Sequence, residues 1–267
     1  MSIQHIATLI SAGRHPVSGE SRHCRNDSIA MAIGLELSNS LNEVAANASK
    51  FKVLHAGNPG NSALADYLAL GASQIDVIPM AADADIVENL AAKLANIDLI
   101  LTGSRAENGQ DSGLLPYLLA EKLSIPLVAN ALTIKPAANG IEVLQFLPKG
   151  KRRSVTVQLP AVVVIHPLAP VELRFAYARQ VMGKISQQPT SGAEVATKGA
   201  NALQWKTQAS IRKPNKLKAR ENKSGHARML SATVSENKGG AVVNEGNSVE
   251  KAQVILRYLR EHRLINF

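Results

Sequence analysis

One cysteine, Cys24, stands in 267 residues. A single thiol excludes a disulfide within the chain and a cysteine-based zinc site, and it fits a reducing compartment. Aromatics are only 3% of the composition against an apolar share of 45%. The core must therefore be built from Leu, Ile, Val and Ala. No apolar run approaches the roughly 20 residues that span a bilayer. No basic segment precedes the first short apolar run, which reads as a strand rather than a signal peptide. The seven histidines do not cluster at metal-ligand spacing. A nucleophile elbow G-x-S-x-G, a Walker loop and a G-x-G-x-x-G fingerprint are all missing. The expectation is a cytoplasmic chain without membrane insertion, without a metal and without catalytic residues of its own.

Acidic residues are scarce in one part only. Residues 1–190 hold 16 Lys+Arg against 15 Asp+Glu, and residues 191–267 hold 14 against 6. The net charge of +9 thus belongs almost wholly to the C-terminal part. Its densest stretch, residues 206–228, carries eight Lys/Arg and one acid, Glu221. That stretch has no aromatic residue on which bases could stack, with Trp205 just before it. This favours an acidic protein surface over nucleic acid as its partner.

What is present is an alternation. Apolar runs at 3–11, 52–55, 75–79 and 98–102 read as buried strands. Helical spacing fills 28–37, 61–70, 85–95 and 113–123. Asp27 is placed to cap the first helix, and Gly71 falls at the C′ position of the second. The polar stretch 13–25 reads as a loop. Strands alternating with helices imply an α/β fold, a parallel sheet with helices on both faces. Short strands at 127–134, 141–146 and 154–158, with a turn at Asn139-Gly140, then suggest an antiparallel hairpin excursion. AVVVI at 161–165 returns to a buried strand, and 175–184 has helical potential. From about residue 187 the periodicity fades. The domain reading is a nucleotide-binding α/β domain over 1–185 and a basic, extended C-terminal arm over 186–267. The arm ends in an amphipathic helix at 249–264, with Ser248 as its cap and Lys251 at N3.

The most informative stretch is DLILTGSRAENGQDSGLLPYLLAEKLSIP at 98–126. A buried strand feeds a helix through a polar loop at 103–112. Such a connection leaves backbone N–H groups free at the helix start, where they and the helix dipole suit a phosphate. Gly109 and Gly113 let the backbone approach a ligand closely, and Ser112 or Asp111 is a fitting N-cap. The guanidinium of Arg105 could pair with phosphate. The same composition also suits an ordinary strand-to-helix loop, with Asn108 as a turn residue and Arg105 at the surface.

These residues resemble the beta subunit family of electron transfer flavoprotein over roughly residues 1–185. Gly103, Ala106, Asn108-Gly109, Pro116, Ala120-Glu121, Leu123 and Pro126 match the family's frame. Val157–Ile165 (VQLPAVVVI) resembles its L-P-A-V-V strand, and Glu172 with Arg174-Phe175-Ala176 its N-E-P-R-Y-A. The family's G-K-Q-A stands here as Gly103-Ser104-Arg105-Ala106. The leucine that anchors partner dehydrogenases aligns with Ala178, and the following proline with Arg179.

The resemblance implies the fold of adenine-nucleotide α-hydrolases and universal stress proteins. It implies a heterodimer with an alpha subunit, FAD shared with that subunit, and a structural AMP in this chain. It implies an electron carrier between flavin dehydrogenases and a membrane quinone oxidoreductase, both met transiently. Carried over, the nucleotide site comprises Gly103, Ser104, Arg105, Ala106, Asn108, Gly109, Asp111, Ser112 and Gly113. It extends to Ala56, Gly57, Asn26, Asp27 and Ser11. A second FAD in place of AMP fits the same loop. A standalone adenine-nucleotide-binding protein of the same fold is the alternative; it would have no use for the recognition loop or the arm.

Overall fold

The computed structural model describes residues 3–15, 17–44, 49–80, 85–107, 112–188, 224–226, 229, 243–262 and 264–265. The chain divides into two compact units, Met1–Gln204 and Trp205–Phe267.

In the first unit the order is β1 (His5–Ile10), β2 (Ala12–Arg14), β3 (Ser21–His23), α1 (Arg25–Val44), β4 (Lys50–Gly57), α2 (Ala63–Ala69), β5 (Gln74–Pro79), α3 (Ile86–Leu94), β6 (Leu99–Gly103) and α4 (Leu115–Leu123). Then follow β7 (Leu127–Ala137), β8 (Gly140–Phe146), β9 (Arg152–Val157), β10 (Ala161–Ile165), α5 (Tyr177–Met182) and β11 (Lys184–Gln187). Among the described residues these strands form a nine-stranded sheet, β11-β5-β4-β1-β6-β10-β7-β8-β9, and a separate β2–β3 hairpin. Pairing is parallel from β11 through β7, and antiparallel for β7–β8 and β8–β9.

Both faces of the sheet are covered, as the uninterrupted apolar strands require. Ile6, Leu99, Leu101, Val163 and Ile165 pack against Ile29, Ala30, Ile33 and Leu37 of α1. On the same side Val53, Ile75 and Val77 pack against Leu64, Tyr67 and Leu68 of α2. The alternate residues Ala7, Leu9, Leu54, Ile78, Ile100 and Val162 meet Leu90 and Leu94 of α3 and Leu119 and Ala120 of α4. The α1 helix lies close on the sheet because Gly34 has no side chain. A Cβ there would stand 3.0 Å from both Leu101 Cδ1 and Thr8 Oγ1.

The direction of winding changes at β1. From β1 the chain runs outward through α1 to β4 and then β5; through α3 it returns to β6 on the other side of β1. The β1 and β6 C-terminal ends therefore flank a crevice from which the crossovers diverge, the usual place for ligands in open α/β sheets.

Several local expectations are corrected. The stretch 13–25 is not a plain loop, since Ala12–Arg14 pairs with Ser21–His23. Helix α1 starts at Arg25, so Asp27 lies within its first turn instead of capping it. The Cys24 carbonyl begins that helix, accepting from the Ser28 amide and hydroxyl, both at 3.0 Å. Helix α4 begins at Leu115 with Leu114 as its N-cap residue and no side-chain cap bond; Ser112 Oγ instead accepts from the Leu114 amide at 3.3 Å. The edge strand β11, pairing parallel with β5, was not foreseen. Asp85 caps α3, accepting from the Val87 and Glu88 amides. Gly71 follows the Leu70 C-cap with φ of +127°.

In the second unit, α6 (Ser248–Glu261) is capped by Asn247 rather than Ser248, and N3 is Glu250 rather than Lys251. A reciprocal capping box results: Asn247 Oδ1 accepts from the Glu250 amide at 2.9 Å, and Glu250 accepts from the Asn247 amide at 3.0 Å. Replacing Asn247 by alanine removes about 1 kcal/mol from the helix start. Amide exchange at residues 249–251 in the full chain is expected to quicken by roughly fivefold. Unchanged exchange would mean the box carries no weight in solution. Val249, Val254, Ile255 and Tyr258 are exposed on this helix. Most of the basic stretch 206–228 lies outside the described residues.

Candidate functional site

The β1 and β6 ends are joined by one carboxylate. Asp27 is buried, and its Oδ2 accepts from the Ser11 amide at 2.8 Å and from the Ser11 hydroxyl. The Gly103 backbone also hydrogen-bonds to it. Burial pushes the Asp27 carboxyl from 3.8 up to about 6, and these donors offset part of that rise. Gly103 makes the approach possible. A Cβ at that position would collide with Asp27 Oδ1 and lie 2.7 Å from the Asn26 carbonyl carbon and 2.8 Å from the Asp27 nitrogen.

A second layer holds the same corner. Tyr67, fully buried on α2, donates its hydroxyl to the Ser11 carbonyl at 2.7 Å and accepts from the Cys24 amide at 2.9 Å. Burial and the nearby Asp27 charge hold this phenol well above its ordinary value. Burial, then the Asp27 charge, push the Cys24 thiol up to about 11, so it stays a thiol and reaches the Arg105 carbonyl at 3.5 Å. Asn26 Nδ2 donates to the same carbonyl at 3.3 Å. Arg22 of β3 grips Glu107, its Nε and one terminal nitrogen each 2.9 Å from Oε2.

The loop after β6 folds back on itself. Gly113 has φ of +66°, and a Cβ on it would stand 2.8 Å from the Ser104 carbonyl oxygen. Its lack of a side chain serves this closure within the loop. The first amides of α4 have no side-chain cap, leaving donors to be satisfied from outside the helix. Thr102, beside Gly103 at the end of β6, keeps a buried hydroxyl without a partner among the described residues, as does Thr8 deeper under α1. An unpartnered buried hydroxyl is costly. The one at the strand end fits a group bound at that edge.

The structure thus brings Ser11, Asn26, Asp27, Gly103, Ser104, Arg105 and Ala106 to one corner, with Ser112 and Gly113 closing the loop. Ala56 and Gly57 end β4, one strand beyond β1 from β6. Gly57 has φ of +151°, and a Cβ there would meet His55 Nε2 at 2.9 Å. His55 is buried with its pKa lowered by desolvation; its Nδ1 lies 2.9 Å from the Ile10 carbonyl, which can only accept, so this nitrogen carries the proton. Asn108, Gly109 and Asp111 lie outside the described residues.

Sequence reasoning did not assign Arg22, Glu107, Cys24 or Tyr67 to the corner. Tyr67 had a signal: a hydroxyl between Leu64 and Leu68 on a core-facing stripe must find a buried partner. No group of three or more His, Cys, Asp or Glu side chains is arranged for a metal ion among the described residues. Among the same residues no helix is long and apolar enough to cross a membrane.

Fold and site together define an α/β protein whose polar residues converge at the switch point of a mostly parallel sheet. Residues 32–205 match the family model of the electron transfer flavoprotein domain. The electron transfer flavoprotein subunit beta of Chromohalobacter salexigens is 34% identical over 267 residues, covering 97% of this chain and 95% of that protein. The chain belongs to the beta subunit family of electron transfer flavoproteins, bearing out the resemblance in its sequence. The family consists of electron-transfer proteins associated with flavin.

Proposed function

We propose that this chain pairs with an alpha subunit and holds a structural AMP at the β1–β6 crevice, while the pair shares one FAD. The observation that carries this reading is the convergence of Ser11, Asp27 and the loop starting at Gly103 on the switch point. The proposed fold kinship is with adenine-nucleotide α-hydrolases and universal stress proteins, and the proposed setting is the cytoplasm. The division into a nucleotide-binding domain over 1–185 and an arm over 186–267 belongs to the same proposal.

When bound, FAD supplies the redox chemistry, taking electrons from flavin dehydrogenases and passing them to a membrane quinone oxidoreductase. The chain itself binds, orients and excludes water. Amides of the loop after β6, the uncapped start of α4 and the Arg105 guanidinium would hold the phosphate. Asn108, Gly109, Asp111, Ser112 and Gly113 would complete that loop, with Ala56-Gly57 on the flank. Asp27 keeps the two strand ends in register.

Exposed Leu168, Phe175, Tyr177, Val181 and Met182 supply an apolar surface for a dehydrogenase. With Ala178 and Arg179 where the family has leucine and proline, the donor is a dehydrogenase other than the acyl-CoA type. Ordinary electron acceptance from an acyl-CoA dehydrogenase would count against that choice.

The test is the nucleotide released on denaturing the chain purified with its alpha subunit. One FAD and one AMP per pair support the reading. Two FAD and no AMP put a flavin in this chain instead. Adenine nucleotide on a chain that captures no alpha subunit would favour a standalone nucleotide-binding protein.

A further inference from the structure

We infer that the outer edge of β9 is a docking strand for an acidic, extended segment of the electron-donating dehydrogenase, which adds to the sheet alongside Arg152–Val157. The inference rests on the electron-carrier reading and is independent of the nucleotide site.

Among the described residues β9 ends the nine-stranded sheet, paired with β8 on one side and with no strand on the other. The turn before it fixes which backbone groups face outward. The Leu147 amide donates to the Lys151 carbonyl at 3.1 Å. Bonded positions alternate along an antiparallel pair. Counted from Lys151, the residues Arg153, Val155 and Val157 turn their amides and carbonyls toward β8. Arg152, Ser154 and Thr156 turn theirs away from it, and all three are exposed. Such a row of donors and acceptors is a template for one more strand.

Charge selects what that strand can be. Lys149, Lys151, Arg152 and Arg153 crowd the turn and the start of β9, all exposed. Among the described residues none of them pairs with a carboxylate. Glu142, the one acid of β8 and β9, is engaged by the Ser154 hydroxyl. Two of the cations are held in place. Arg153 Nε donates to Gln145 Oε1 at 2.8 Å, and the buried Gln145 is fixed through Nε2 to the Ala129 carbonyl at 2.8 Å. The Arg152 guanidinium lies 4.6 Å from the centre of the Phe146 ring, which stacks on His166 at 4.1 Å. Side chains already held lose less freedom when a partner binds. Like charges left unopposed weaken a sheet, and carboxylates on an incoming strand relieve them. A second copy of this chain would bring the same cations again and is disfavoured on that ground.

The occupant is a transient partner. Permanent interfaces keep charge out of their centres, whereas exposed charge steers brief encounters. An electron carrier must release its donor after each transfer. The edge is also continuous with the apolar surface assigned to that donor, since the Leu168 amide donates to His166 Nδ1 at 3.1 Å.

The first probe is a synthetic peptide alternating Glu with Val, added to the full chain. Amide exchange should slow at Arg152, Ser154 and Thr156 when it binds. Arg152→Glu should weaken binding about tenfold at low salt, with a smaller effect at high salt. Thr156→Pro removes an outward N–H without breaking a bond to β8, and should weaken binding at unchanged charge. Protection confined to other segments, or full binding by Thr156→Pro, would overturn strand addition. Anionic lipid vesicles that bind through these cations while the peptide does not would assign the edge to a membrane surface and likewise overturn it.

The second probe is a dehydrogenase that reduces the flavin of the pair. The peptide should compete with it, and Arg152→Glu should lower the second-order rate about tenfold at low salt, leaving the rate at saturating donor unchanged. Undiminished reduction with the peptide bound would overturn the dehydrogenase as occupant. If no dehydrogenase reduces the pair, the electron-carrier reading fails. Protection of β9 by the peptide would then still support an acidic strand at this edge, and its absence would refute the edge as well.

Discussion

Replacing Gly103 by alanine is expected to destabilise the first unit by about 3 kcal/mol, at the upper end for inserting a methyl group into a packed site. The added Cβ would press on Asp27 Oδ1, the Asn26 carbonyl carbon and the Asp27 nitrogen. Two of these are backbone atoms of the first turn of α1, so no rotamer change relieves them. Either α1 lifts from β6 or the end of β6 retreats. The first loosens the packing of Ile29, Ala30 and Ile33 on Leu99 and Leu101. The second breaks the hydrogen bond between the Gly103 backbone and Asp27. Urea unfolding of the variant beside the wild type checks the stability, and retained nucleotide checks the site. A loss below about 1 kcal/mol with full occupancy would show that the corner yields at little cost. Gly113→Ala provides a contrast, because it strains a loop at φ of +66° without touching α1.

The alternation of strands and helices was legible because buried parallel strands are written as unbroken apolar runs, as in Leu99–Gly103 and Ala161–Ile165. Asn139-Gly140 announced its hairpin for a local reason, the positive φ that Gly140 takes at +134°. The β2–β3 hairpin was not legible. Its strands AGR and SRH are three residues each, too short for any alternation. Strand β11, KISQ, is polar and partly exposed at the sheet edge, so hydropathy does not mark it.

At α6 two neighbouring cap formers competed. Glu250, three residues beyond Asn247, favours Asn247, whereas Ser248 would have Lys251 in that role. Within the site, Ser11, Asp27 and Gly103 could each be named from the sequence, but their bonding to one another could not. Asp27 and Gly103 are far apart along the chain, and Arg22 and Glu107 are separated by 85 positions. Pattern reading within a window of a dozen residues does not register such pairs. The fold brings them together because β1 and β6 are neighbours in the sheet though distant in the chain.

Asp27 gives the chain a pH dependence of unusual sign for an aspartate. Most carboxylates that gain partners on folding have depressed values and lose their contribution as pH falls. Asp27 is raised instead, from 3.8 to about 6, because burial outweighs the donors from Ser11 and Gly103. The folded chain therefore holds a proton that the unfolded chain has released between those two values. The resulting stability is fully present below about pH 4 and is lost as pH rises through about 6. The whole change is roughly 3 kcal/mol for a fully buried group. Other carboxylates titrate in the same window, so the measurement is a difference. Asp27→Asn removes this titration and leaves the others. The stability of the wild type relative to Asp27→Asn should fall by about 3 kcal/mol between pH 4 and pH 7, read from urea midpoints at each pH. A flat difference would mean that the donors around Asp27 cancel its burial. Ser11→Ala gives an independent check. Without the hydroxyl that favours the carboxylate, the loss of stability should be larger and continue to a higher pH than in the wild type. A loss that ends at the same pH as in the wild type would show that the Ser11 hydroxyl is not a donor to Asp27 in solution.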